Sequence, residues 1–207
     1  MSRLEQLDET YRHHHETRRS PDFVFGGEDR AAVFRRWVGT GRRVLDLGCR
    51  YGALTRAYAE ENEVVGMDVD REALAAAATL GIETRHGDVT EPLPFGDASF
   101  DVVVCGELLE HLPWPERTVA EARRVLKPGG FFVGSVPNAY RLKNRLVFLS
   151  GRPPETDPTH LHMFSPDAIR ALLADFDGPE LRWVSGRLVP LSARLFGNVM
   201  LFRARKR

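Results

Sequence analysis

Between residues 40 and 137 the chain alternates short apolar runs with amphipathic ones. "RRVLDL" (42–47), "EVVGMDV" (63–69), "SFDVVVCGE" (99–107) and "FFVGSVPN" (131–138) are valine-rich runs closed by Gly, Asp, Glu or Asn. That is the pattern of strands buried on both faces. "IETRHGDV" (82–89) reads as a shorter strand with a turn. "ALTRAYAEE" (53–61), "REALAAAATL" (71–80) and "PERTVAEARRVL" (115–126) read as helices, the last with Pro at its start and "KPGG" beyond its end. Strand and helix in strict alternation predict an α/β fold: a doubly wound, mostly parallel sheet with helices on both faces and right-handed crossovers.

The flanks read differently. Residues 3–19 are helical and mostly polar, and "EDRAAVFRRWV" (28–38) is a second helix with Ala32, Val33, Phe34, Trp37 and Val38 available for packing. Residues 138–164 break the alternation as a long insertion. "SPDAIRALLADF" (165–176) is a helix capped by Ser165 or Asp167. "LRWVSGRLV" (181–189) and "NVMLFRARK" (198–206) suit an antiparallel hairpin at one sheet edge, which brings the sheet to seven strands. The division is one domain: a helical lid (1–39), a ligand-binding core (40–137), an acceptor-side insertion (138–164), and a C-terminal helix with strands (165–207).

Composition narrows the class. The 207 residues, 43% hydrophobic and 28% charged, suffice for one domain with a sizeable core. No apolar run approaches the roughly 20 residues of a membrane span, and the polar N-terminus is unlike a secretory signal. Cys49 and Cys105 make no disulfide framework, so the expectation is reduced thiols in a cytoplasmic protein. Net charge is zero but uneven: residues 1–121 carry 14 Lys/Arg against 23 Asp/Glu, residues 122–207 carry 15 against 6. No acid stands between Glu121 and Glu155, a stretch holding Arg141, Lys143, Arg145 and Arg152. Such asymmetry suits either an anionic partner or a solvated basic face.

The chemistry begins at "DLGCRYG" (46–52), which falls where the first strand ends. Ligands of open α/β sheets bind beyond such ends. The glycines are spaced G-x-x-x-G, without the G-x-G-x-x-G of a nicotinamide site or the G-K-[ST] of a phosphate loop. A carboxylate at Asp46 opposes a pyrophosphate and favours a ligand bearing an ammonium group. The turn, the acid closing "VVGMDVD", the "HGDV" segment and "LKPGG" together resemble class I S-adenosylmethionine-dependent methyltransferases of the small-molecule, ubiquinone-type kind, over roughly residues 40–137. The resemblance implies a Rossmann-like fold and S-adenosylmethionine as cofactor. Gly48, Cys49, Arg50 and Gly52 would pass under its methionine part, with Asp46 orienting the amino group. Asp68 would hold the ribose, with Val69 after it also at the cofactor; Asp88 and Val89 would hold the adenine, and Glu107 would lie on the cofactor's far side. Arg50 stands where the family has glycine.

Methyl transfer needs a nucleophile held against the sulfonium methyl, and a hydroxyl nucleophile gains from a base or a metal. Glu107, Glu110 and His111 in "GELLEHL" have carboxylate and imidazole types suited to a divalent ion. The E-x-x-E-H spacing also resembles the metal ligands of ubiquinone O-methyltransferases and of small-RNA 3′-end methyltransferases. A purely structural role for the acids stands beside that reading. His160 and His162 in "THLHMF" alternate around Leu161, so an extended segment would turn both to one side. Each is a candidate base or further ligand, as is His111. The expected reaction is methylation of a small-molecule hydroxyl, with anionic and lipid-linked acceptors in view because of the basic insertion. The alternatives are a cofactor-binding module without turnover, favoured by Arg50, and a nucleic-acid methyltransferase. The last has against it the absence of a separate recognition domain and of an N-P-P-Y/F motif. Monomer and homodimer both remain open.

Overall fold

A computed structural model describes residues 4, 5, 8, 24, 26–154, 157 and 159–207. Of the helix expected over 3–19 only residues 4, 5 and 8 are described, each as helix; His13, His14 and His15 lie outside the described residues. The described elements run α1 (Gly27–Val38), β1 (Arg43–Leu47), α2 (Arg56–Ala59), β2 (Glu63–Asp68), α3 (Arg71–Ala78), β3 (Glu83–His86) and β4 (Phe100–Gly106). A 3₁₀ turn (Leu109–His111) follows, then α4 (Pro115–Val125), β5 (Leu126–Pro137), α5 (Leu142–Leu149), α6 (Pro166–Leu172), β6 (Phe176–Val184), α7 (Ala193–Phe196) and β7 (Val199–Lys206). The seven strands lie in the order β3-β2-β1-β4-β5-β7-β6. The first five are mutually parallel, while β7 runs antiparallel to both β5 and β6. The order reverses between β1 and β4, so the crevice for a ligand opens at the carboxyl ends of those two strands.

Period-two alternation sorts the strand residues onto two faces. Leu45, Leu47, Val103, Cys105 and Phe132 pack on one side with Val119, Ala122 and Val125 of α4 and Ile169 of α6. Val44, Val102, Val104 and Val133 pack on the other with Phe34, Trp37 and Val38 of α1 and Tyr58 of α2. Burying an aromatic such as Phe34 contributes about 2–3 kcal/mol against leaving it in water. Asp46 shares the parity of Val44, so it faces the α1–α2 side. There a carboxylate enters an otherwise apolar layer.

Several boundaries differ from the sequence reading. The helix expected over 53–61 shortens to α2, because Ala57 and Tyr58 bond back three residues, to Leu54 and Thr55, in a tighter winding. "LKPGG" is drawn into β5 instead of forming a separate turn, with an irregularity between Phe100 and Val102 absorbing the change of register. The strand expected over 181–189 is β6, ending at Val184; the Ser185–Ser192 stretch turns into α7, so β6 and β7 are not a tight hairpin. Residues 138–164 contain the helix α5. Ser165, rather than Asp167, caps α6 by accepting from Ala168 N at 3.0 Å. Both cysteines are free and buried.

Candidate functional site

The glycine turn follows β1 directly. Gly48 (φ 72°) and Gly52 (φ 76°) are left-handed, the conformation for which glycine is suited. Their amides are used internally: Gly48 N donates to Met67 O and Gly52 N to Cys49 O. Arg50 is left-handed too, at φ 49°. Its main-chain N–H donates to Asp68 Oδ2 at 2.9 Å, and its guanidinium lies 5.9 Å from the Tyr51 ring centre. Cys49 turns its side chain inward instead of toward a ligand. Its Sγ occupies the space a Cβ on Gly66 would need, at 2.6 Å. Of Cys49, then, only the main chain faces the turn, and burial pushes its thiol pKa up.

Asp46 lies beneath this turn, 3% exposed. Its Oδ2 accepts from Thr55 Oγ1 at 2.6 Å and from Tyr58 Oη at 2.7 Å. Burial raises its pKa to about 6 against these two hydrogen bonds and the nearby Arg30 charge, which lower it. Arg30 comes from α1, where it occupies the i position of an i, i+4, i+7 stripe with Phe34 and Trp37. Its guanidinium fills the space over Gly106, where a Cβ would stand 2.5 Å from Nη2. Thr55, Tyr58 and Arg30 were absent from the sequence reading. Their signal was there: Thr55 and Tyr58 are three apart on one helix face, and Arg30 keeps an apolar stripe's spacing.

Asp68 closes β2 and anchors two turns at once. Besides Arg50 N on Oδ2, its Oδ1 accepts from Asp70 N at 3.0 Å, and Asp70 caps α3 through Ala73 N. Val69 O accepts from His86 Nε2 at 3.0 Å, a carbonyl partner that puts the proton on that nitrogen. Asp88 closes a small turn on itself, Oδ1 accepting from both Thr90 N and Thr90 Oγ1. Val89 is buried beside it. A cavity of about 250 Å³ runs along Val89–Pro92 to Trp114, just before α4, and to Arg117 and Glu121 on it.

The second cluster forms where β4 gives way to the 3₁₀ turn. Ligand atoms of Glu110, His111 and His160 all lie within 4.8 Å of one another. Glu107, expected with them, is not in that set. It turns at φ 56° immediately after β4, three residues ahead of Glu110, and acts on the cluster by charge. Glu110 is 1% exposed, and neither of its carboxylate oxygens has a hydrogen-bond partner in the described structure. Burial, then the Glu107 charge, pushes its pKa up. His111 Nδ1 lies 3.2 Å from Thr159 O and 3.0 Å from Thr159 Oγ1. Donation to that carbonyl leaves Nε2 carrying the lone pair. His160 sits edge-on to His111, ring centres 4.7 Å apart.

His162 does something else. Its Nε2 donates to Leu112 O at 2.9 Å, and the main-chain N–H groups of Leu161 and His162 both donate to Glu110 O. The extended "HLH" segment is therefore laced onto the 3₁₀ turn, with His160 in the cluster and His162 tethering the strap. Of the two candidate rings, His160 lies beside Glu110 and His111, while the His162 ring is engaged by Leu112 O.

Residues 45–134 match a protein family described as a methyltransferase domain. A Mycolicibacterium smegmatis protein named "probable S-adenosylmethionine-dependent methyltransferase" is 35% identical over 167 residues, covering 77% of this chain and 62% of that one. The ubiquinone biosynthesis O-methyltransferase of Hahella chejuensis is 37% identical over 115 residues, covering 52% of this chain and 44% of that one. The crystal structure of a SAM-dependent methyltransferase from Archaeoglobus fulgidus superposes with a TM-score of 0.72 at 21% identity, covering 96% of this chain and all of that one. Over residues 45–134 the chain carries the core of the class I S-adenosylmethionine-dependent methyltransferase family. Its matched stretch spans between 44% and 62% of those two curated relatives' length.

S-adenosylmethionine is the cofactor of that family, and the methyltransferase turn here fits it in chemical type. Arg50 stands where the motif it resembles has glycine, and it is left-handed at φ 49°. For a non-glycine residue this costs on the order of 1 kcal/mol. Arg50 N on Asp68 Oδ2 helps hold it there.

Proposed function

We propose that this chain transfers the methyl group of S-adenosylmethionine to a hydroxyl oxygen of a small-molecule acceptor. The acceptor oxygen forms the new C–O bond, the sulfonium C–S bond breaks with its electron pair on sulfur, and the hydroxyl proton leaves to a base or to water. In this reading Asp68 accepts from the ribose hydroxyls, Asp88 and Val89 hold the adenine, and Gly48–Gly52 carry the methionine part. Asp46 faces the ammonium from below. Glu107 lies on the far side.

The observation that carries the oxygen reading is the Glu110 carboxylate, buried without a hydrogen-bond partner beside His111 and His160. An unpartnered buried carboxylate is costly, and a bound cation is one group that removes the cost. Glu110, His111 and His160 would hold a divalent ion, with Thr159 orienting His111. Such an ion supplies Lewis acidity that lowers the pKa of a nearby hydroxyl. The name of the Hahella relative, an O-methyltransferase of ubiquinone biosynthesis, supports the same reading.

Excess chelator is expected to abolish turnover, with restoration by added magnesium or another divalent ion, while binding of S-adenosylhomocysteine is unchanged. Full turnover in chelator removes the ion and leaves His111 or His160 as the base. The division into a lid (1–39), cofactor core (40–137), acceptor-side insertion (138–164) and C-terminal elements (165–207), and a cytoplasmic location, belong to the same proposal. No described helix is long and apolar enough to cross a membrane. A second reading, a cofactor-binding module without turnover, rests on Arg50 at φ 49°. Binding without transfer to any hydroxyl acceptor favours it.

A further inference from the structure

α5 is built inside out. Its one buried residue is Asn144, which donates to Ala139 O and accepts from Arg141 Nε. Leu146, Phe148 and Leu149 point away from the protein and are 57%, 46% and 83% exposed. An amphipathic surface helix puts its apolar face on the core. Here Asn144 with the half-buried Leu142 and Val147 holds the helix down, and Leu146, Phe148 and Leu149 are offered outward. The neighbouring element does the same. α5 packs against α7, and the loop leading into α7 exposes Leu188 and Leu191, the latter at 76%. Asn138 ties the two together by donating to Arg194 O and Gly197 O.

The charged residues of the two segments, 141–152 and 185–197, are all cations. No acid occurs between Glu121 and Glu155, and none follows Glu180. Lys143, Arg145, Arg152, Arg187 and Arg194 are exposed in the two segments. A second copy of the chain would bring these cations against their own kind, so the face does not suit self-association. Nucleic acid would match the charge but offers nothing for Leu146, Leu149 and Leu191. An anionic bilayer matches both: acyl chains for the leucines and phenylalanine, and headgroup phosphates for the cations.

We infer that the face formed by α5 and the loop before α7 docks this protein on an anionic lipid surface. α5 begins five residues beyond the end of β5, on the carboxyl-end side of the sheet where the glycine turn and Glu110 lie. Docking there turns the site's mouth toward the membrane. Where the methyl-transfer reading holds, on which this last step rests, the acceptor is an amphiphile resident in the bilayer that exposes its hydroxyl at the headgroup level.

The test is co-sedimentation of the protein with phosphatidylcholine vesicles, with and without phosphatidylglycerol, in parallel with calorimetric binding of S-adenosylhomocysteine. The expected result is retention by the anionic vesicles only, weakening as salt is raised. Joint substitution L146S/F148S/L149S, at exposed positions, should lower partitioning by about tenfold or more, given the worth of buried apolar area. Joint substitution K143S/R145S/R152S should do the same, at about 1 kcal/mol of attraction per cation. Both variants should bind S-adenosylhomocysteine as the natural chain does. Absence of vesicle binding, equal binding of the serine variants, salt-sensitive binding to RNA or DNA without vesicle binding, or a dimer that Leu149→Ser dissociates would each overturn the inference. Those outcomes leave the cofactor site untouched; loss of S-adenosylhomocysteine binding by the natural chain would fall on the methyltransferase reading instead.

Discussion

Asp46→Asn is expected to make the cofactor-free protein more stable at pH 7, by about 1–3 kcal/mol, while weakening the cofactor. The reason is the buried carboxyl with its pKa raised from 3.8 to about 6. A raised carboxyl pKa means that the folded state holds the proton more tightly than the unfolded one. Between pH 3.8 and 6 the folded state therefore binds more protons, and this group's contribution to stability falls as pH rises through that window. Across a shift of about two units the loss is ~3 kcal/mol, complete above the folded pKa. Asparagine keeps an oxygen for Thr55 and Tyr58 and never ionises. Thermal unfolding from pH 4 to 7 should accordingly slope less in the variant. An ammonium placed near Asp46 would favour the ionised form, so affinity for S-adenosylhomocysteine should fall as pH drops below about 6 in the natural chain and be weak throughout in the variant. A variant less stable than the natural chain at pH 7 would show that the charge of Asp46, paired with Arg30, supports the fold.

Asp68→Ala should cost cofactor affinity about 1–3 kcal/mol, as expected when hydrogen bonds to a charged group are lost. The same change frees the amides of Arg50 and Asp70, which Asp68 now accepts. The effect should therefore appear in the protein's own stability as well, with a lower unfolding temperature before any ligand is added. Asp68→Asn, which keeps one acceptor oxygen, should lie between. Calorimetry and thermal unfolding on the two variants separate the ribose contact from the turn support. Unchanged affinity in Asp68→Ala would place the ribose elsewhere.

The parallel core was legible because its signals are local. Val44–Leu47, Val64–Met67 and Val102–Cys105 are β-branched or apolar runs, and each is followed by a glycine or acid that ends it. Boundaries set by long-range pairing were less so. β6 starts at Phe176 because it pairs with Lys206 and its neighbours, a partner thirty residues away. Of the candidate site, the placement of Asp68, Asp88 and Glu107 was readable, because they fall at or just after strand ends. Tertiary partners were not. The stripe of Arg30, Phe34 and Trp37 places Arg30 on the inward face of α1, but its partner over Gly106 comes only from the packing. Glu107 and Glu110 are equally plausible ligands in one dimension, and only the turn at Glu107 separates them. His160 and His162 share a side in an extended segment, yet Leu112 O claims one ring and the cluster the other.

The central claim is that a turn with arginine in its middle is a working S-adenosylmethionine site. Titration calorimetry of the purified protein with S-adenosylhomocysteine, repeated on Arg50→Gly, tests it most directly. The account predicts binding by both, with affinities within about tenfold of each other, since the backbone strain at stake is ~1 kcal/mol. Binding that appears only in Arg50→Gly would mean that the arginine closes the site. Binding by neither protein would contradict the cofactor assignment itself.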